Sequence, residues 1–132
     1  MTRQRQGILE ELRKTDTHPS ADELFNRVRQ QMPRISLGTV YRNLEILSEL
    51  GEIQTIEMAG SLKRFDGVAQ NHYHIRCVNC DCLVDAPLEV RMALEEAVQT
   101  HTDFRILGHK VAFTGLCPAC RRKTPGAFPD KA

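Results

Sequence analysis

The sequence lacks any long hydrophobic run, and this absence decides the broad class of the protein. No apolar stretch among its 132 residues approaches the ~18 residues that a membrane-spanning helix needs. The first residues, Met1–Gly7, carry charges that no apolar segment follows, so we expect no secretory signal peptide. We therefore predict a soluble, cytoplasmic protein of one domain or two very small ones, with no membrane partner.

The sequence also has almost no net charge. Lys and Arg total 18 against 17 Asp and Glu, which gives a formal charge of +1. Residues 1–69 hold ten basic and ten acidic side chains. Because a nucleic-acid-binding domain is usually basic overall, any DNA contact must come from a local patch. The DNA affinity of one subunit should then be modest and salt-sensitive.

The cysteines are few but closely grouped. Five occur, and this odd number without a secretion signal argues for reduced thiols rather than a disulfide scaffold. Positions 81–116 separate two CxxC pairs, which are formed by Cys77, Cys80, Cys117 and Cys120. Two such turns can hold a structural Zn²⁺ in a tetrahedron of thiolates. A redox pair or plain buried cysteines are the alternative, and Cys82, outside the pattern, is expected to be a packing residue.

Hydrophobic periodicity predicts an α+β fold. Three amphipathic helices precede a hairpin from Gly51 to Asp66, which is the order of a winged helix-turn-helix. A strand, a helix over Pro87–His101 and a strand over Phe104–Leu116 then predict a small α/β unit. The expected divisions are a winged-helix domain at 1–68, an α/β metal-binding domain at 69–122 and a flexible tail at 123–132. Domains this small usually need a metal or a partner subunit.

The segment that opens the third predicted helix contains no acidic residue. The N-terminal half of a recognition helix is the part that enters the major groove of DNA. Side chains suited to phosphate or base edges are Arg34, Ser36, Thr39, Tyr41 and Arg42. Lys63 and Arg64, in the predicted wing, are candidates for contacts to the neighbouring backbone. A three-helix unit that binds protein is the alternative interpretation.

A second group of candidate metal ligands carries nitrogen and oxygen. His72 and His74 are two residues apart, so on a strand they point to the same face. Asp66 lies shortly before them, and Asp85 follows the first CxxC pair. Imidazoles and carboxylates suit Fe²⁺ or Mn²⁺ rather than a thiolate site. Spacing alone leaves open that these are ordinary surface residues.

Three motifs together closely resemble the Fur family of metal-dependent bacterial repressors. They are Ser36–Leu44, with the sequence Ser-Leu-Gly-Thr-Val-Tyr-Arg-Asn-Leu, His72–Cys80, which begins His-Tyr-His-Ile-Arg-Cys, and Cys117-x-x-Cys120. The resemblance extends over about residues 3 to 122. It implies a homodimer that represses transcription by binding double-stranded palindromic promoter DNA and joins through the C-terminal α/β domain. No small organic substrate is implied.

Within that family, the resemblance is closest to the peroxide-sensing PerR branch. It implies a regulatory Fe²⁺ or Mn²⁺ held by three His and two Asp, which here correspond to His18, Asp66, His72, His74 and Asp85. Asp85 favours this branch, since iron-sensing Fur proteins tend to carry Glu there. The resemblance further implies Fe²⁺-dependent oxidation of a ligand imidazole, with His18 and His72 as the expected targets.

Three other functions compete with this hypothesis. The chain could be an iron-level sensor of the Fur type, a relative that senses zinc or manganese, or, in a different class, a zinc-stabilised protein-interaction module. An enzyme is the least supported interpretation, because the sequence offers no nucleophile–base pair and no phosphate-binding loop.

Overall fold

The computed structural model describes residues 2–123 and residue 126. The chain divides into two compact units, Met1–Gln70 and Asn71–Ala132. Both contain helices and strands, so the predicted α+β class is confirmed. Among the described residues, no helix is both long and apolar enough to cross a membrane. The predicted tail at 123–132 lies outside the described residues except for Lys123, which ends a helix, and Gly126.

Three helices build the first unit: α1 (Arg3–Arg13), α2 (Ala21–Val28) and α3 (Leu37–Glu49). Each begins after a hydroxyl side chain that accepts a hydrogen bond from a backbone N–H three residues later; these N-caps are Thr2, Ser20 and Ser36. Such a cap typically contributes about 1 kcal/mol of stability. A hydroxyl cap therefore marks the beginning of each of these three helices.

Buried aliphatic side chains hold these helices together. Each helix supplies residues at helical spacing to one core, whose fully buried members include Ile8, Leu12, Leu24, Val40, Leu44 and Leu47. Phe65, from the hairpin that follows, belongs to the same core and is 1% exposed. Removal of this apolar area from water is the main favourable term in the folding of this unit.

A two-stranded antiparallel hairpin completes the first unit. Strand β1 (Gln54–Ile56) pairs with β2 (Arg64–Asp66), with Thr55 opposite Phe65. Gly60 lies in the connecting turn at φ 76°, a left-handed conformation that glycine adopts without steric cost. All three residues of β2 are buried, although two of them are charged. A strand so placed can carry polar side chains into the interior of the unit.

Over its described residues, the second unit contains a three-stranded sheet and two helices. Its elements are β3 (His74–Cys77), β4 (Leu83–Asp85), α4 (Ala93–Gln99), β5 (Ala112–Gly115) and α5 (Pro118–Lys123). The strand order is β4-β3-β5, with β3 antiparallel to β4 and parallel to β5. Asp85 lies opposite His74 in this register. The sheet thereby brings two candidate ligands together across neighbouring strands.

Two predicted elements are shorter in the structure than in the sequence analysis. The helix expected over Pro87–His101 begins only at Ala93, because backbone N–H groups before it donate elsewhere: Leu88 N–H to Ala86 O, and Arg91 N–H to Tyr73 Oη. The strand expected over Phe104–Leu116 is regular only at Ala112–Gly115, where it pairs with the four residues of β3. The lengths of α4 and β5 therefore depend on hydrogen bonds to other segments and not on the hydrophobic pattern alone.

Candidate metal centres

The two CxxC pairs meet within the second unit. The Sγ atoms of Cys77, Cys80, Cys117 and Cys120 all lie within 4.8 Å of one another. Between Cys80 and Cys117 the Sγ–Sγ distance is 3.8 Å. A tetrahedral site with Zn–S bonds of about 2.3 Å separates neighbouring sulfurs by roughly 3.8 Å. The donor type, the number of donors and their spacing therefore all fit a structural zinc ion.

Backbone N–H groups prepare two of these sulfurs to be thiolates. Cys80 N–H points to Cys77 Sγ at 3.5 Å, and Cys120 N–H points to Cys117 Sγ at 3.4 Å. The N–H groups of Cys117 and Cys80 lower the pKa of Cys77 to about 6. Cys120 N–H likewise lowers the pKa of Cys117. Both shifts favour the thiolate form, which is the form that binds a metal ion.

The remaining sulfurs show why a cation belongs among them. The Asn79 amide lowers the pKa of Cys120, but the Cys117 side chain and burial outweigh it and raise that pKa to about 11. Four thiolates at this spacing repel one another, so they do not all ionise without a positive charge between them. Cys82 lies outside the four-sulfur group, and burial raises the pKa of its thiol.

In the first unit, a histidine and an aspartate form a buried pair. His18 Nδ1 lies 3.5 Å from Asp66 Oδ2, and both residues are only 2% exposed. His18 precedes α2, whereas Asp66 ends β2. The other carboxylate oxygen, Oδ1, accepts a hydrogen bond from Val68 N–H at 2.9 Å. An imidazole nitrogen and a carboxylate oxygen are thereby held close together, as a shared metal ion would require.

The backbone at His18 adopts an unusual conformation. Its φ of 51° lies in the left-handed region, which costs a non-glycine residue about 1–2 kcal/mol. The hairpin stabilises this conformation, because Phe65 N–H donates to Pro19 O at 3.0 Å. Arg64 Nη1 also donates to His18 O, at 3.3 Å. Sequence reasoning expected Arg64 to contact DNA, but the structure buries this side chain and directs it to the His18 carbonyl.

In the second unit, two histidines converge on one aspartate. Asp85 Oδ1 lies 3.1 Å from His72 Nε2 and 3.7 Å from His74 Nε2. The two imidazole rings are 4.5 Å apart between centroids. His72 lies just before β3 rather than in it, yet both rings reach the same carboxylate. The sequence prediction that these histidines share a face therefore agrees with the geometry.

The polar residues predicted to read DNA surround the start of α3. Ser36 caps the helix, and its Oγ lies 2.9 Å from Thr39 Oγ1. Arg42 Nη2 donates to Thr39 Oγ1 at 3.3 Å. Arg34 and Tyr41 are exposed on the same segment. In the hairpin, Lys63 is exposed and pairs with Glu57 at 3.4 Å, so it presents the basic group that Arg64 does not.

Sequence reasoning did not anticipate a partly buried hydrogen-bond network in the second unit. Arg91 N–H donates to Tyr73 Oη at 2.8 Å, and Tyr73 Oη lies 2.6 Å from His109 Nε2. His109 Nδ1 in turn lies 2.5 Å from Glu95 Oε2. Glu95 belongs to α4, which has no buried residue, so the network attaches this helix to the sheet. These residues are 14 to 36 positions apart, and such separations give no spacing signal in the sequence.

Comparison with known proteins now decides the family. Residues 1–114 match the sequence model described as the ferric uptake regulator family. The chain belongs to the ferric uptake regulator family. The resemblance drawn from the three sequence motifs is thereby confirmed, and the family covers the N/O ligand pairs of both units as well as the first CxxC pair.

Individual members of the ferric uptake regulator family show how close the similarity is. The peroxide-responsive repressor PerR of Staphylococcus saprophyticus is 36% identical over 123 residues, which cover 93% of this chain and 83% of that protein. The solved structure of the Helicobacter pylori ferric uptake regulator, reported with three functional metal-binding sites, has a TM-score of 0.78 and 26% identity, with 92% and 81% coverage. The solved structure of the Campylobacter jejuni peroxide stress regulator has a TM-score of 0.73 and 26% sequence identity. The match covers 89% of this chain and 88% of that one.

We predict that Cys80→Ser removes zinc while Cys82→Ser retains it. If the ~10–16 kcal/mol of a four-thiolate site is shared equally, one lost ligand costs about 3 kcal/mol and weakens zinc affinity ~10²-fold. Zinc content after dialysis against a mild chelator, together with the thermal unfolding midpoint, measures both variants. Equal zinc retention in Cys80→Ser and the parent would contradict the four-sulfur site, as would zinc loss in Cys82→Ser alone.

Proposed function

We propose that this protein is a metal-dependent, DNA-binding transcriptional repressor that responds to peroxide and acts as a homodimer. The observation that carries the proposal is the pairing of imidazole nitrogens with carboxylate oxygens in each unit, at His18 with Asp66 and at His72 and His74 with Asp85. Such a donor set suits redox-active Fe²⁺. Similarity to a peroxide-responsive repressor supports the same function.

The four cysteines hold the structural Zn²⁺ in this proposal. Zinc has no redox chemistry of its own and favours closed tetrahedral sites. Cys77 ends β3, and Cys120 lies in α5, so an ion bound by both pairs would fasten the last helix to the central strand. The metal would then stabilise a unit whose own apolar core is small.

The regulatory ion, Fe²⁺ or Mn²⁺, would be bound by His18, Asp66, His72, His74 and Asp85 together. Two of these ligands belong to the first unit and three to the second. One ion shared between them would fix the angle between the units, and its loss would release that constraint. The presence or absence of the metal ion would thereby change the affinity of the protein for DNA.

We assign DNA recognition to the first unit, as a winged helix-turn-helix. Helix α3 would be the recognition helix, with exposed or partly exposed polar groups at its start: Arg34, Ser36, Thr39, Tyr41 and Arg42. The β1–β2 hairpin would be the wing and would present Lys63 to the phosphate backbone. A two-fold symmetric dimer would place two such helices on a palindromic promoter.

Dimerisation is assigned to the second unit. Helix α4 has no buried residue, and its exposed apolar side chains include Leu94 and Val98, which are four residues apart and so share a face. Phe113 on the edge strand β5 is also exposed. Exposed apolar side chains favour association when they are grouped on one surface. A second copy of the chain is the partner that the symmetry of the proposed operator requires.

The peroxide response follows from the chemistry of the proposed ligands. His18, Asp66, His72, His74 and Asp85 would hold the Fe²⁺, which when bound would supply the reduction of peroxide. One oxygen of H₂O₂ would enter the ring of a ligand imidazole, and the other would leave as water. His72, whose side chain is 22% exposed, is accessible to a small oxidant. His18 is the other expected target, held against Asp66. An oxidised imidazole is a poorer ligand, so the metal would leave and the repressor would release DNA.

An iron-level sensor is the second candidate function. The similarity to the Helicobacter pylori ferric uptake regulator favours it. Such a sensor would use the same five ligands but would bind and release Fe²⁺ according to supply, without modification of its histidines. The two candidates therefore differ in the chemical fate of His18 and His72.

We predict that Mn²⁺ strengthens binding to an operator selected in vitro, and that Asp85→Ala removes this response. Asp85 lies near both His72 and His74, so its loss takes an anionic ligand from the proposed site. The coupling between metal and DNA should amount to ~5–150-fold in DNA affinity. Gel shifts across a Mn²⁺ series measure it. Glu89→Ala, which removes an exposed carboxylate of the same unit, is the matched control. Asp85→Ala that responds to Mn²⁺ like the parent would exclude this ligand set.

Peroxide should modify the Fe²⁺-loaded protein at His18 and His72. Each affected peptide should gain the mass of one oxygen atom, and DNA binding should fall in proportion. The Mn²⁺-loaded protein should stay unmodified and bound to DNA under the same dose. Peptide mass spectrometry after anaerobic loading measures both. Unmodified histidines together with metal-dependent DNA binding would support the iron-level sensor instead.

A further inference from the structure

Strand β2 contacts the segment before α2 through all three of its residues. Arg64 Nη1 donates to His18 O at 3.3 Å, and Phe65 N–H donates to Pro19 O at 3.0 Å. Asp66 Oδ2 lies 3.5 Å from His18 Nδ1. We call this set of three contacts the β2 clamp. It joins two consecutive carbonyl groups and one imidazole to a single short strand.

The alternation of side chains along a strand explains why the β2 clamp works. Arg64 and Asp66 are two residues apart and so share a face, while Phe65 points to the opposite face. Phe65 is part of the apolar core, and this anchors the strand. The guanidinium and the carboxylate are therefore carried together to His18, one to its backbone and one to its ring.

The conformation of His18 shows what the clamp resists. Its left-handed backbone is one that a histidine adopts only when its surroundings impose it. If the contact to the His18 carbonyl were lost, the peptide could rotate towards a more relaxed conformation. The imidazole would then move away from Asp66, although neither proposed ligand had been changed.

We infer that Arg64 is a positioning residue of the regulatory metal site. It acts through the His18 carbonyl to hold the imidazole against Asp66, and its buried guanidinium does not contact DNA. This inference rests on the proposed function, in which His18 and Asp66 bind the regulatory ion. It differs from the role in DNA binding that the sequence predicts for Arg64.

The chemistry of arginine suits this task. Its planar guanidinium presents several N–H donors in a fixed arrangement and stays charged at every physiological pH. Lysine offers a charge at the end of a flexible chain, so Arg64→Lys should restore only part of the function. Arg64→Ala removes the contact with the carbonyl altogether.

The test uses the full-length, zinc-loaded protein and Mn²⁺ as the probe. Calorimetric titration should show Mn²⁺ affinity weakened ~10–100-fold in Arg64→Ala, as for residues that orient metal ligands, with Arg64→Lys intermediate. Zinc content should equal that of the parent. At saturating Mn²⁺, Arg64→Ala should bind the selected operator like the parent, with the same salt dependence. Arg29→Ala, an exposed arginine of the same unit, should change none of these values.

A second measurement reports the clamp without metal. Hydrogen exchange of the Phe65 amide, which donates to Pro19 O, should accelerate in Arg64→Ala, while the buried α3 amides of Val40 and Leu44 should keep the rates of the parent. Uniform acceleration would show that Arg64 only stabilises the unit, and would overturn the inference.

The remaining outcomes separate the inference from the function on which it rests. Unchanged Mn²⁺ affinity in Arg64→Ala, with weaker DNA binding and a shallower salt dependence at saturating Mn²⁺, would make Arg64 a phosphate contact and overturn the inference alone. A parent protein that binds operator equally well with and without Mn²⁺ would overturn the proposed function and this inference together.

Discussion

The pairing of a buried carboxylate with an imidazole is the interaction on which the rest of this structure depends. Asp66 is almost fully buried, and an isolated charge in that position would be costly. His18 lies beside it, and a metal ion shared by the two would compensate the charge more completely. The fold accepts a left-handed backbone at His18 to keep this pair together. Such a cost in conformational free energy is typical of binding sites, where the surrounding structure holds a strained residue in place.

The two proposed metal centres differ in ligand chemistry, and this difference suits one to a structural role and the other to a regulatory role. Sulfur ligands with backbone N–H donors form a closed set for zinc, which stabilises the second unit without redox activity. Nitrogen and oxygen ligands form the other sets, where a redox-active ion can be bound, exchanged and attacked. A sensor needs both properties, because the fold must survive the chemistry that changes its regulatory site.

Local patterns in the sequence were enough to predict much of the fold and the ligands. The helix caps at Ser20 and Ser36, the hairpin and the CxxC pairs are each encoded within a few residues. The spacing of His72 and His74 predicts a shared face, and both rings reach Asp85 although His72 lies just before β3. His18 was different, because only the resemblance to a family connected it with a ligand set so far along the chain.

What the sequence could not provide were contacts between distant segments. From the sequence, Arg64 is predicted to be an exposed basic residue of the wing. In the structure it is buried and donates to the carbonyl of His18, which lies 46 residues away. Glu95 and His109 belong to no motif, yet both join Tyr73 in one network. The late start of α4 likewise follows a contact between separate segments, from Arg91 N–H to Tyr73 Oη. Burial and hydrogen-bond geometry decide these features, and neither is a property of local pattern.

The most direct test of the account is whether metal and DNA binding are reciprocal. Mn²⁺ affinity should be measured twice on the same zinc-loaded protein, once free and once bound to its operator. If one ion couples the two units, the operator must tighten Mn²⁺ binding by the same factor by which Mn²⁺ tightens operator binding. Equal Mn²⁺ affinities with and without DNA would contradict the central claim, because the ion would then have no influence on the DNA-binding surface.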